Sequence, residues 1–174
     1  MLTRNCKKNE INKHGATVCV LVLLHMLAIP SSHASSSDQL KVDVALQQPK
    51  ANQYVLHVTL KNSGATTLST LRHRLPWGNT YSLLVVAATE GGKLPNESFL
   101  IDDPTFVEIQ IKPGEILEGD VPLNLRFRDL PDEVTKHDVI IFWSYRMQLQ
   151  NGNYLERFGG WLLIPKVIAH GKAN

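Results

Sequence analysis

From residue 40 onward, apolar and polar side chains alternate. Leu40, Val42, Val44 and Leu46 fall on one side of an extended chain, with Lys41, Asp43 and Gln47 on the other. Tyr54, Leu56, Val58 and Leu60 repeat the pattern against His57, Thr59 and Lys61. A period of two marks a strand with one buried face. Asn62-Ser63-Gly64 breaks the run as a turn. Thr80 to Thr89 is a near-continuous apolar run and predicts another strand. Val107, Ile109 and Ile111 alternate again and stop at Lys112-Pro113-Gly114-Glu115, where proline before glycine suits the centre of a type II turn. Val121, Leu123, Leu125 and Phe127 predict a further strand.

The last third holds two long strand-like runs, DVIIFWSYRMQL and YLERFGGWLLIP, around Gln150-Asn151-Gly152-Asn153. Asn-Gly predicts a hairpin with a type I′ turn. Gly159-Gly160 predicts a bulge or a close backbone approach. Alternation puts Ile141, Trp143 and Tyr145 on one face of the first run and Ile140, Phe142 and Ser144 on the other. We expect Ile140 and Phe142 to fill the core with Leu162 and Ile164, leaving Trp143, Tyr145 and Arg146 as a polar-tipped outer surface. Residues 129–137, DLPDEVTKH, offer one helical turn, and no long helical periodicity is present. The prediction is an all-β chain, a single immunoglobulin-like antiparallel β-sandwich over residues 40–166, with a C-terminal tail at 167–174.

The N-terminus follows a different pattern. Arg4, Lys7, Lys8 and Lys13 precede an apolar run from Ala16 to Ile29, and Ser32-His33-Ala34 follows as a small–x–small tripeptide. This order predicts a signal peptide over residues 1–34, cut before Ser35, with 35–39 as a polar leader. The run is shorter than the ~20 residues of a spanning helix, so no transmembrane anchor is expected after cleavage. The expected location is periplasmic or secreted, in a bacterium. Removing the signal leaves 14 of 18 basic residues and 15 of 16 acidic ones, formally −1. The basic balance of the whole chain is therefore no argument for nucleic acid. Cys6 and Cys19 are the two cysteines, and both lie in the signal. The mature chain is expected to have no disulfide, thiolate metal site or cysteine nucleophile.

Candidate chemistry is sparse. The chain carries no H-E-x-x-H, G-x-S-x-G, P-loop or G-x-G-x-x-G. Asp102-Asp103-Pro104 is the densest acidic cluster, read as a turn cap in preference to a calcium site, which wants six to eight oxygens. Asn96-Glu97-Ser98 fits a glycosylation sequon, relevant only in a eukaryotic secretory pathway. No cofactor and no metal is expected.

The order KNSG, a leucine-rich stretch into LPWGNT, a strand, FLIDDP, and then IKPGE before an alternating strand resembles the N-terminal, non-catalytic β-sandwich of deuterolysin-type and peptidyl-lysine metalloendopeptidases. The likeness spans roughly residues 40–147. It implies a sandwich associated with peptidases. The zinc-binding catalytic domain has no counterpart, so the resemblance implies no peptidase activity here.

Within that frame RHRLPWGNT, residues 72–80, is a crossing between sheets. Leu75 and Trp77 are expected to be tucked in, with Arg72, His73 and Arg74 on the outer side. The expected function is non-enzymatic: an exported module that binds another protein, a peptidase or an envelope component, through Arg72, His73, Arg74, Trp143, Tyr145 and Arg146. Three other readings stay open. One is a proteinase inhibitor using loop 89–98 or 129–137. A second is a carbohydrate-binding module using outer aromatics. The third is an enzyme built on Asp102, Asp103 and His137.

Overall fold

A computed structural model describes residues 32–36, 39–78, 82–97 and 106–167. Among these residues ten strands dominate: β1 (Ser32–Ser36), β2 (Leu40–Lys50), β3 (Gln53–Asn62), β4 (Leu68–Leu71), β5 (Leu83–Thr89), β6 (Gly92–Lys93), β7 (Glu108–Ile111), β8 (Ile116–Pro122), β9 (Val139–Gln148) and β10 (Tyr154–Ile164). Two one-turn helices, α1 (Leu123–Arg126) and α2 (Leu130–Val134), lie between β8 and β9. The first sheet runs β1-β2-β3-β8 and the second β10-β9-β5-β6, while β4 and β7 make a small third pair. Every strand pairing among the described residues is antiparallel. The fold is an antiparallel β-sandwich, as the alternation predicts.

The core lies between the two main sheets. Leu40, Val42, Val44, Leu56, Val58 and Leu60 face it from the first sheet, and Leu83, Val85, Ala87, Phe158, Leu162 and Ile164 from the second. Burial of these side chains is the main stabilising term, each Leu, Val, Ile or Phe contributing ~1.5–3 kcal/mol relative to exposure and Ala87 less.

The turns follow the sequence in one case and depart from it in another. At Lys112–Glu115 the Glu115 N–H bonds the Lys112 carbonyl, and Gly114 takes φ +78°, as a type II turn requires. Asn62 beside it is fully buried. Its amide donates to the carbonyls of Thr66 and Ile111, and its side-chain oxygen accepts from the Gly64 N–H. The final hairpin is not closed by a type I′ turn. That turn needs two positive φ angles, and only Gly152 has one, at +88°. Instead the Gly152 N–H bonds the Leu149 carbonyl and the Leu149 N–H bonds the Asn153 carbonyl. The left-handed glycine thus follows the turn, as in a bulged three-residue loop.

One further expectation needs correction, and two others gain detail. Leu123 and Leu125 do not continue β8. The strand stops at Pro122, and α1 turns the chain away, held by Asn124, whose side chain accepts the Tyr54 N–H at 2.7 Å and donates to the Asn52 carbonyl. The run at 83–89 is buried on one face only, since Leu84 and Val86 point outward. The polar leader is partly structured: β1 pairs Ser35 with Val42 and Ser36 with Lys41, and also takes in Ser32–Ala34, on the far side of the expected cut. The signal region before Ser32 and the tail from residue 168 lie outside the described residues. Among the described residues no helix is long and apolar enough to cross a membrane.

Candidate functional site

The register of the last hairpin decides which side chains face outward. Phe158 pairs with Tyr145, Gly160 with Trp143, and Leu162 with Ile141. These residues face the core, where Trp143 is 3% exposed and Tyr145 0%. Phe142 is 46% exposed. The expected assignment is therefore inverted for β9: Phe142 lies outside, and Trp143 and Tyr145 lie inside. Leu162 and Ile164 are in the core as expected.

The physical reason is the neighbouring strand. A Cβ at Gly160 would sit 3.1–3.2 Å from three atoms of the Trp143 indole. The missing side chain is the space that the ring occupies. Gly159-Gly160 is accordingly a close approach. The bulge lies elsewhere, between Tyr154 and Arg157.

With this register the outer face of the second sheet is laid out in cross-strand rows. Val86, Phe142 and Trp161 form one row, and Leu84, Ser144 and Gly159 form the next. Ala88, Ile140 and Leu163 make a third. Leu84 is 57% and Trp161 50% exposed, so the middle of the sheet presents apolar and aromatic surface to solvent. Beyond the Ser144 row, Arg146 pairs with Arg157, whose Nη1 donates to the Ser144 hydroxyl at 3.0 Å. The outer face of the first sheet is polar by contrast. Lys41 and Asp43 pair there, and His57 bridges to Asp120 at 2.8 Å.

The 72–78 crossing closes the basic end of the second sheet. Arg72–Arg74 form one 3₁₀ turn, and Leu75 beneath it is buried. Trp77 is half-buried against β8, where a Cβ on Gly119 would lie 2.1 Å from the indole. Gly78 folds back onto the turn so closely that a Cβ there would meet the His73 carbonyl oxygen at 2.2 Å. Arg74 is fixed from both sides: its Nη1 donates to the Leu149 carbonyl at 3.1 Å, and the Arg74 carbonyl accepts from the Tyr145 hydroxyl at 3.2 Å. Burial pushes the Tyr145 phenol well above its ordinary range, so it stays a donor. Tyr145, expected on the surface, instead holds the basic turn in place from the core.

Beside that turn lies an open cleft of about 390 Å³ lined by His73, Arg74, Ser82, Arg146, Gln148 and Tyr154. Arg146 lies over the Tyr154 ring at 4.7 Å and donates its Nε to the Leu155 carbonyl. The fold thus brings His73, Arg74 and Arg146 together, with Arg72 on the same turn, and removes Trp143 and Tyr145 from the surface. Sequence reasoning missed Phe142, Trp161, Leu84 and Val86. The signal for Leu84, Val86 and Phe142 was the even-numbered set of β5 and β9, and Trp161 joins them through its pairing with Phe142.

The other candidates are placed differently. Asp102 and Asp103 lie outside the described residues. His137 bonds Glu90 at 2.8 Å, which ties loop 129–137 to the β5–β6 hairpin. Among the described residues no cluster of three or more His, Cys, Asp or Glu side chains is arranged to hold a metal.

No family model matches the chain, and no curated protein does. Among solved structures the chain is similar to ycdA of Bacillus subtilis, at 16% identity and TM-score 0.37 over 78% of this chain and 39% of that one. It is also similar to the GAE domain of yeast GGA1, at 12% identity and TM-score 0.37 over 78% of this chain and 99% of that one. The GAE domain of GGA2p from Saccharomyces cerevisiae gives 11% identity and TM-score 0.33, over 79% and 100%. The chain spans well under half the length of ycdA.

Proposed function

We propose that this chain is an exported, non-enzymatic binding module that recognises another protein through the outer face of its second sheet. The observation that carries the reading is the Val86–Phe142–Trp161 row, exposed in mid-sheet beside the Arg146–Arg157 pair. Aromatic and arginine side chains side by side are the residue types that dominate protein interfaces. A contiguous exposed apolar patch rimmed by polar groups marks an interaction surface. The partner remains a peptidase or an envelope component, in keeping with the sequence resemblance. A sugar site built on Trp143 and Tyr145 loses its support, because both rings lie in the core.

Site-specific photo-crosslinking in the native envelope tests this. Benzoylphenylalanine replaces Trp161 in one variant and Lys61, on the opposite sheet, in another. A discrete adduct with one protein from position 161 and none from position 61 is expected. No adduct from 161, or equal adducts from both, would overturn the reading.

A further inference from the structure

We infer that the cleft between the 72–74 turn and β9 receives a carboxylate of the partner's chain, with an apolar side chain of the same segment lying on the Phe142 row. This rests on the binding face proposed above and names the chemistry that the face selects. Among the described residues, neither Arg74 nor Arg146 lies within ion-pair distance of a carboxylate. Among the described residues, no acidic side chain lines the cleft. Each guanidinium spends one donor on a backbone carbonyl, Leu149 for Arg74 and Leu155 for Arg146. Those bonds fix the planar groups and leave further N–H donors on each. Two immobilised forks at the rim of one cleft are pre-organised for a planar, two-oxygen acceptor, and the ordering cost of recruiting them is already met in the fold.

The sheet also sets the spacing. Arg146 and Phe142 lie on the same face of β9, four residues apart, which at about 3.3 Å per residue is roughly 13 Å. An extended partner segment running along β9 therefore presents its acid and its apolar anchor about four residues apart. Charge complementarity gives the acid, and the exposed row gives the anchor.

Synthetic peptides test the assignment on the intact mature domain. The first carries two aspartates, three alanines, then phenylalanine and leucine, with both ends blocked. In the second, asparagines replace the aspartates. In the third, alanines replace the phenylalanine and leucine. Binding is read by tryptophan fluorescence and checked by calorimetry. The aspartate peptide is expected to bind at least tenfold more tightly than the asparagine peptide. R74Q/R146Q should abolish that difference, and R146K should keep part of it, since it retains charge without the fork. Far-ultraviolet circular dichroism confirms that each variant is folded.

Equal binding of the aspartate and asparagine peptides would overturn the carboxylate site. If both then lost affinity in F142A, the binding face itself would stand. Retained discrimination in R74Q/R146Q, or no binding of the aspartate peptide, would also overturn the proposal. Acetate and inorganic phosphate serve as competitors. Displacement by phosphate at lower concentration than acetate would assign the cleft to a phosphorylated group and overturn the carboxylate.

Discussion

Replacing Trp143 and Phe142 one at a time by alanine measures the packing of the second sheet directly. The two are adjacent in sequence and opposite in space: one ring is 3% exposed and the other 46%. A buried tryptophan removes ~150–250 Å² from water. At about 25 cal/mol per Å² that is ~4–6 kcal/mol. Residual burial in the unfolded chain lowers the figure by roughly a tenth to two fifths. Among the described residues the Trp143 indole N–H has no hydrogen-bond partner, so truncation also recovers a desolvation cost of about 1 kcal/mol. Acting the other way, the cavity would be walled by Gly160, which has no side chain to move into it, and cavities that cannot collapse cost more. The net loss for Trp143→Ala is about 3–4 kcal/mol. Phe142 gives up about half a ring's burial and its cross-strand contacts with Val86 and Trp161, a loss of about 1.5–2 kcal/mol. Urea denaturation followed by circular dichroism reads the difference as a midpoint shift of about 1 M, at unchanged slope. If Phe142→Ala proves equally or more damaging, the register is wrong, and the exposed row and the binding face fall with it.

Other consequences are as direct. Gly119→Ala places a methyl 2.1 Å from the Trp77 ring and should cost ~2–3 kcal/mol, most of it vanishing in a Trp77→Ala background in a double-mutant cycle. Asn62→Ala strands the Thr66 and Ile111 carbonyls, and chemical denaturation should show a loss of ~2–3 kcal/mol. Gly152→Ala forces a side chain onto φ +88° and should lower stability by about 1 kcal/mol, while Gly91→Ala, without that backbone constraint, should do less in the same thermal melt. The form cut after Ala34 should melt at the same temperature with and without reductant, because Cys6 and Cys19 are gone.

Most of the architecture was legible in the chain because period-two patterning and turn chemistry are local. Leu40 to Leu60 faced the core as their alternation required, and Pro113-Gly114 made the turn its residues specify. The hairpin turn was less transparent. Asn-Gly satisfies both a type I′ turn and a left-handed glycine after an ordinary one, and strand register chooses between them. Positions 140 to 146 alone do not decide the face of β9. Over the whole strand the odd set is Val139, Ile141, Trp143, Tyr145 and Met147, wholly apolar or aromatic, while the even set contains Ser144, Arg146 and Gln148. What the sequence could not show was room for an indole inside. That depends on Gly160 arriving opposite Trp143, a relation between positions 17 apart, fixed by pairing. The cleft was half visible: its basic residues are conspicuous at 72–74, but Arg146, Gln148 and Tyr154 join them only through the fold.

Each indole packed on a glycine ties two distant positions into one inherited unit. Trp77 excludes a side chain at Gly119, and Trp143 leaves little room for one at Gly160. A lineage cannot enlarge the glycine while the ring remains. Once the ring is lost, the glycine has nothing left to protect and is free to drift. Substitution at these sites should therefore follow an order, tryptophan first and glycine afterwards. Divergent copies of this sandwich should carry both residues of a pair, the glycine alone, or neither, and not the tryptophan without its glycine.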